Sequence, residues 1–532
     1  EAQLPDAVAI VGLSGRFPGA ETVDDLWTLL ADGRSEVRPP DRPGAGWESE
    51  LHPFAPLAGI DEFDPQFFNI SPRSADALDP RQRLLLQEMW SALEDAGYGG
   101  PALASARVAA YVGIEEGDYA SLVGDQGDVT SNHNAVAAAA LSNFLDFKGP
   151  AFAVNAACAS SLVALHQAHE SVRRGECDVA LVAGVHVMST PGKLDEMGRA
   201  GMLSATGVCR AFDEGADGTV LGEAVGVVVL ARAAEARRDR RRVYATITAS
   251  AINNNGITNG IAAPSGLAQR QLLDSVYAGR DAAASSLGLV VTHGTGTPLG
   301  DPVEAGALGE VLLAHGARTG SVPIMSVKPN IGHAISAAGV VNLIALLLAM
   351  WNESVPPAIH CDRPSGYIDW ERSPLRPATA GRWPAGTDRF GAASAMGFSG
   401  TNVHVLLRSA GTRAAEDALA DDGPGPWLLP VSAKTPAALG RVQARLADHL
   451  ARRPSVSLAA VSRTLLEGRQ HFAHRAAFVV ADRADAVAQL EAAASGSIDD
   501  RGSTVRSAQQ RAAADTYLAG SLPDSAALGL DS

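Results

Sequence analysis

Residues 149 to 175 read GPAFAVNAACASSLVALHQAHESVRRG. The apolar run Ala151 to Val154 predicts a short strand, and a turn of small residues follows it. From Cys158 onward Leu162, Leu165, His169 and Val172 recur at helical steps, and Gly175 sits where a helix would stop. Cys158 is thereby placed at a strand-to-helix turn, at the N-terminal end of the helix. There the free backbone N–H groups and the helix dipole are expected to favour a thiolate over a thiol. Ala156, Ala157, Ala159 and Ser160 leave room for a substrate. On this turn alone, Cys158 reads as well as a small buried hydrophobe.

The 532-residue chain is rich in Ala, Gly, Val and Leu, with few aromatics, which is the profile of an α/β enzyme. A formal charge of −16 argues against nucleic acid or an anionic membrane as partner. Lys148, Lys193, Lys328 and Lys434 are the only lysines, so each merits attention. Cys158, Cys177, Cys209 and Cys361 are scattered, so a reducing, cytoplasmic setting is expected. No signal-peptide pattern is read at the N-terminus. The longest apolar stretch, Val340 to Trp351, is too short for a bilayer and is interrupted by Asn342; it reads as a buried helix.

In chain order, Val8 to Leu13 reads as a strand, and Thr22 with Asp25 as the cap of a short helix. Residues 32 to 58 read as a surface loop. Asp79-Pro80 opens a strong helix that Gly97 stops. Further strands are read at Arg107 to Gly113, Asp178 to Val187 and Ala224 to Ala231. A second series follows: a strand from Val243, a helix Ala268 to Tyr277, a strand Leu287 to Thr292, and a helix Asp301 to His315 with Asp301 as cap. Then come a strand Pro323 to Val327, the apolar helix, and strands Ala392 to Met396 and Val403 to Leu407. Such strands suit a sheet covered on both faces, and the two series suggest two similar halves, about 1–242 and 243–408. Residues 409–425 read as a linker, 426–495 as a small α/β domain, and 496–532 as a tail with a short helix near Ala512 to Leu518.

Three further Gly-rich loops fall at strand ends: THGTGTPLGDPVE (Thr292 to Glu304), SVKPNIGHAISAAG (Ser326 to Gly339) and GFSGTN (Gly397 to Asn402). Ligands of α/β sheets bind at the carboxyl ends of strands, so one pocket could gather Cys158, His293, His333 and the Phe398 backbone. A thiolate can hold an acyl group as a thioester, and two neutral imidazoles can donate to the enolate formed when a malonyl thioester loses CO₂. Taken singly, His293 reads as structural, Lys328 as a surface residue and GFSGTN as a plain turn. The HxxH pairs His166/His169 and His471/His474 read as core and surface residues on helices. No metal site is expected.

Taken together, VAIVGLSGRFPGA, FDPQFFNISPRSADALDPRQRLLLQEMWSALEDAG, NAACASSLVALH, CRAFDEGADG, THGTGTPLGDPVE, SVKPNIGH and GFSGTNVHVLL resemble the ketosynthase (β-ketoacyl synthase) domains of modular type I polyketide synthases, from about Val8 to Leu407. The resemblance implies a thiolase-like five-layered αβαβα fold and a homodimer with the strand before Cys158 near its two-fold axis. It implies Cys158 as acylated nucleophile and His293 with His333 as the decarboxylation pair. Lys328 would order the site, and Phe398 would supply an oxyanion-hole N–H and a gate. Thr295 and Thr297 would hold the phosphopantetheine arm. It implies no cofactor of its own, substrates carried on acyl carrier protein, and other modules of the same synthase as partners. The segment from Trp427 resembles the small linker domain that follows such ketosynthases. Ser189 to Lys193, the NNNGITNG loop and YLAGSLPDSAALGL are similar to synthases whose acyltransferase is a separate protein.

Departures from the family pattern are Asn155-Ala156-Ala157 before Cys158, Ala159 after it, and Ser399. They bear on substrate preference and remove no catalytic side chain. The expected reaction is decarboxylative Claisen condensation with malonyl-acyl carrier protein. The alternatives are a non-elongating, transacylating ketosynthase or a thiolase-like acyltransferase, either of which needs Cys158 but not both histidines. A dimerisation scaffold would need neither.

Overall fold

The computed structural model describes residues 7–42, 47, 52–99, 103, 106–384, 389–413, 425–496 and 508–523. Parts of the expected loop (43–46, 48–51), most of the linker (414–424) and much of the tail (497–507, 524–532) lie outside the described residues.

Five strands form the first half: β1 (Val8–Arg16), β2 (Val108–Gly113), β3 (Ala151–Val154), β4 (Val179–His186) and β5 (Ala224–Arg232). The second half holds β6 (Ala245–Asn254), β7 (Leu287–Val291) and β8 (Val322–Met325). A short ribbon, β9 (Ser354–Val355) with β11 (Gly381–Arg382), stands apart from the sheet, and β10 (Leu375–Pro377) borders β8. The hairpin β12 (Phe390–Met396) and β13 (Thr401–Ser409) completes this half.

The pairing pattern repeats. In the first half β3, β2 and β4 are parallel, β5 is antiparallel to β4, and β1 is antiparallel to β5. In the second half β8, β7 and β12 are parallel, β13 is antiparallel to β12, and β6 is antiparallel to β13. The halves join where β1 and β6 pair through Val8–Ile247, Ala9–Thr246 and Ile10–Ala245. The duplication that residue identity barely hints at is therefore explicit in topology.

The helices Ser160–Arg174 and Ala338–Trp351 pack on each other, and each touches strands of both halves. They form the middle layer. Their apolar character fits this place: every residue of Ala338–Trp351 is buried. Its one polar side chain, Asn342, donates to the carbonyls of Thr292 and Ser394, both at 2.9 Å, and so ties together the ends of β7 and β12. Close approach of the middle layer depends on glycine. A Cβ on Gly113 would lie 2.5 Å from Ser161 N, and one on Gly184 would lie 2.7 Å from Ser161 Cβ. Outside the sheets, Pro80–Asp95 covers β1 and β5, Asn134–Leu145 covers β2 and β3, and Gly266–Tyr277 covers β6 and β13 with Gly300–Ala314 against it. The result is the five-layered, thiolase-like αβαβα arrangement expected from the motifs.

Most elements fall where the pattern places them, and the differences have local causes. The helix after the nucleophile turn begins at Ser160, not Cys158: Ala159 N and Ser160 N close three-residue turns onto the carbonyls of Ala156 and Ala157, and the first helical bond runs from Val163 N to Ala159 O. Asp301 lies inside the helix Gly300–Ala314 and does not cap it. His471 and His474 are not on a helix: His474 opens a strand. The helix Asn134–Leu145 is absent from the sequence reading; its run of alanines offers little periodicity.

The chain divides into two compact units, residues 1–95 with 107–412, and residues 96–106 with 413–532. In the second, β14 (Trp427–Ala433) pairs antiparallel with β15 (His474–Val480), and three helices, Pro436–Arg452, Leu458–Glu467 and Arg483–Ala494, accompany them. A fourth helix, Ala508–Leu518, buries Tyr517 among Leu428, Leu466, Ala477 and Val479. Among the described residues, no helix is long and apolar enough to cross a membrane.

Candidate active site

The carboxyl ends of β3, β7, β8 and β12 deliver the four loops. After β3 the chain turns through Asn155 to Ala159. Ser160 Oγ accepts from Ala156 N at 2.9 Å and donates to Ala157 O at 2.6 Å, which fixes the turn. Cys158 emerges from it 5% exposed.

His333 arrives from the loop after Lys328–Ile331. Its N–H donates to Val220 O at 2.7 Å, and its carbonyl accepts from Gly222 N at 3.1 Å, so both faces of its peptide are held. Its Nε2 lies 3.1 Å from Cys158 Sγ. The His293 ring stands edge-on to it, with centroids 5.6 Å apart. Lys328 is fully buried and its Nζ donates to His293 O; the surface reading of this lysine does not hold. GFSGTN is indeed the turn of the β12–β13 hairpin. It also sets the Phe398 backbone N–H near enough to the Cys158 sulfur to favour its charged form, as the Cys158 N–H does. The Phe398 side chain is 46% exposed. Thr295 and Thr297 stand together, with hydroxyls 3.2 Å apart.

The electrostatics correct one expectation. Burial pushes the Cys158 thiol up to about 11, and the Lys328 charge and the two backbone N–H groups only partly offset it. The resting group is a thiol, not the thiolate expected from the helix end. Burial, reinforced by the Lys328 charge, holds His293 and His333 well below the ordinary imidazole range. Both rings are therefore neutral. The Nδ1 atoms of both are buried without a hydrogen-bond partner among the described residues. Burial likewise lowers Lys328.

Two carboxylates support the His293 loop, and neither is identified as functional from the sequence. Glu304 accepts from His293 N at 2.7 Å and from Gly294 N at 2.8 Å. Asp301 accepts from Thr295 N and Gly296 N at 3.1 Å and from Phe212 N at 2.8 Å. Burial pushes Glu304 up to about 7 and Asp301 up to about 6 against these bonds. Their signal is the Asp-x-x-Glu spacing in GDPVE, which puts both on the first helical turn, facing the loop they hold. Of the HxxH pairs, His166 and His169 share the Ser250 hydroxyl through Nδ1 at 2.9 and 3.2 Å. His471 bonds the Tyr517 hydroxyl at 3.0 Å.

Residues 6–236 match the family profile described as "Beta-ketoacyl synthase, N-terminal domain", and residues 244–362 match "Beta-ketoacyl synthase, C-terminal domain". The chain belongs to the β-ketoacyl synthase family. Residues 427–490 match "CurL-like, PKS C-terminal". Polyketide synthase ThaG of Burkholderia thailandensis is 48% identical over 92% of this chain and 9% of its own length. Polyketide synthase GfsA of Streptomyces halstedii is 41% identical over 92% and 7%. The chain thus spans less than a tenth of these two relatives. Among solved structures, the ketosynthase from module 6 of the bacillaene synthase of Bacillus subtilis 168 aligns with TM-score 0.85 at 35% identity, over 92% of this chain and 85% of that one. The oxazolomycin ketosynthase domain OzmH KS7 of Streptomyces albus JA3453 aligns with TM-score 0.88 at 33% identity, over 98% and 95%. The first unit is a ketosynthase of the polyketide synthase type.

Proposed function

We propose that this ketosynthase takes an acyl chain from acyl carrier protein onto Cys158 and condenses it with malonyl-acyl carrier protein, lengthening a polyketide by two carbons. Cys158 Sγ attacks the incoming thioester carbonyl, helped by the His333 Nε2–H. The carbon–sulfur bond to the phosphopantetheine arm breaks, and the Cys158 proton ends on the departing sulfur. Thr295 and Thr297 hold that arm. In the second half-reaction the malonyl carboxylate leaves as CO₂. The two Nε2–H groups donate to the enolate oxygen, and the enolate carbon attacks the Cys158 thioester. The N–H groups of Cys158 and Phe398 hold the tetrahedral oxyanion until the carbon–sulfur bond breaks; the Cys158 thiolate so released takes up one proton from solvent.

The observation that carries this reading is the Sγ–Nε2 contact with a second neutral imidazole beside it. A transacylase or scaffold has no need of that second ring. The protein would use no cofactor of its own and would work in the cytoplasm with other modules of its synthase, with its acyltransferase supplied by a separate protein. It would pair as a homodimer through β3, an end strand of the sheet whose Phe152 is 42% exposed. Mixing the protein with acyl- and malonyl-loaded carrier proteins tests the reading by intact mass. A β-ketoacyl carrier product, lost in Cys158→Ala, is expected. Acylated Cys158 without any such product would instead favour the non-elongating alternative.

A further inference from the structure

Asn342, in the otherwise apolar helix Ala338–Trp351, reaches two loops of the site at once. Strands β7 and β12 run parallel in register as far as Val291 beside Ala393, where the ladder ends. At the next residue of each, Thr292 and Ser394, the Asn342 amide donates to both carbonyls at 2.9 Å. Beyond this tie one chain leads at once to His293, and the other, four residues on, to Phe398.

Asn342 is referred to the nucleophile as well. Two residues before it, Val340 N donates to Ser161 Oγ at 2.9 Å, and Ser161 lies on the first turn of the helix that follows Cys158. A Cβ on Gly339 would lie 2.7 Å from Leu162 Cγ and 3.0 Å from Leu162 N, so the two helices meet there without slack. Each strand end is also fixed on its own side. Thr292 donates to Met325 O through both its N–H and its hydroxyl, each at 2.8 Å. Ser394 Oγ bonds His404 Nδ1 at 2.9 Å, and His404 Nε2 bonds the Tyr277 hydroxyl at 3.0 Å, with all three side chains buried. The Asn342 amide joins these two fixed ends.

The tie is not free. Asn342 is fully buried, and its Oδ1 has no hydrogen-bond partner among the described residues. A buried, unpaired amide oxygen is destabilising. Because both partners are carbonyls, only the NH₂ can face them, and turning the amide over would not help.

We propose that Asn342 is a positioning residue that couples loss of CO₂ to carbon–carbon bond formation. In the condensation His293 meets the enolate oxygen, and the Phe398 N–H meets the thioester on Cys158. The tie sets the gap between these two groups, and so the distance over which the enolate carbon must reach the thioester carbonyl. With the tie cut, the malonyl carbon–carbon bond still breaks and its electron pair still forms the enolate. The enolate carbon then takes a proton from solvent, and acetyl-acyl carrier protein leaves with CO₂ in place of the β-ketoacyl product. The inference rests on the condensing reading of the site.

The test uses the full 532-residue protein, acylated to completion on Cys158 with a saturated acyl N-acetylcysteamine thioester and then given malonyl-acyl carrier protein for one turnover. Intact mass of the carrier gives the ratio of acetyl to β-ketoacyl product, and slow loading does not enter it. We expect acetyl product to be the minor one for the unmodified protein, and the ratio to rise at least about tenfold in Asn342→Leu. Asn342→Ala, where a water can bridge the two carbonyls less firmly, is read where Asn342→Leu does not fold. Leu346, buried on the same helix, supplies the control: Leu346→Ala should lower the unfolding temperature and leave the ratio unchanged. An unchanged ratio in a folded Asn342 variant overturns the inference, as does an equal rise in Leu346→Ala. Failure of both Asn342 variants to fold also overturns it, because the amide is then structural. Absence of β-ketoacyl product from the unmodified protein overturns the condensing reading instead.

Discussion

His333 Nε2 lies 3.1 Å from Cys158 Sγ, across 175 residues of sequence. The contact is made by two neutral groups: a thiol that burial holds protonated and an imidazole that burial holds uncharged. A site built this way is quiet at rest and becomes nucleophilic only as a thioester arrives, when the Nε2–H and two backbone N–H groups meet developing charge.

That resting state makes a pH prediction. With the thiol near 11, the thiolate fraction rises about tenfold per pH unit across the neutral and mildly alkaline range. Iodoacetamide labelling of Cys158, followed by peptide mass spectrometry from pH 7 to pH 10, should climb throughout. A plateau already reached by pH 8 would show a thiolate site instead.

Glu304 holds the His293 loop by accepting two backbone N–H groups. In Glu304→Gln the amide NH₂ must face one of those donors, which leaves it unpaired at a cost of about 1–3 kcal/mol. Condensation should fall about ten- to hundredfold, whereas acyl loading, which does not use His293, should change little. Equal losses in the two half-reactions would contradict this division.

Gly397 is small because the backbone of the nucleophile turn is against it: a Cβ there would lie 2.5 Å from Ala156 O. Gly397→Ala should push the hairpin turn away and take the Phe398 N–H off the oxyanion position. A loss of about a hundredfold in the rate of Cys158 acylation is expected, the scale of a lost oxyanion donor. Stopped-flow acylation at the wild-type rate would show that this N–H is not used.

What was legible in the sequence was local. The apolar run, the small-residue turn and Gly175 fixed the strand, the nucleophile and the end of the helix, where Gly175 adopts φ +73°. The Gly-rich loops marked strand ends, and their motifs carried the family. What was not legible depends on other parts of the chain. The sign of the Cys158 shift reversed because desolvation is a property of the closed fold, whereas the helix-end argument is local. Asp301 has the residue type of a cap, but the loop before it folds back and uses the carboxylate for three backbone donors. Glu115 and His186 are 71 residues apart and meet only because β2 and β4 are parallel neighbours in register.

The central claim is a division of labour between one sulfur and two imidazoles, and His333→Ala tests it most directly. Both half-reactions are measured on that variant: acyl transfer to Cys158 by intact mass, and β-ketoacyl product from malonyl-acyl carrier protein. The account predicts acylation within about tenfold of wild type and condensation reduced by about a thousandfold or more, since a donor to the enolate is gone. A His333→Ala protein that elongates at the wild-type rate would contradict it.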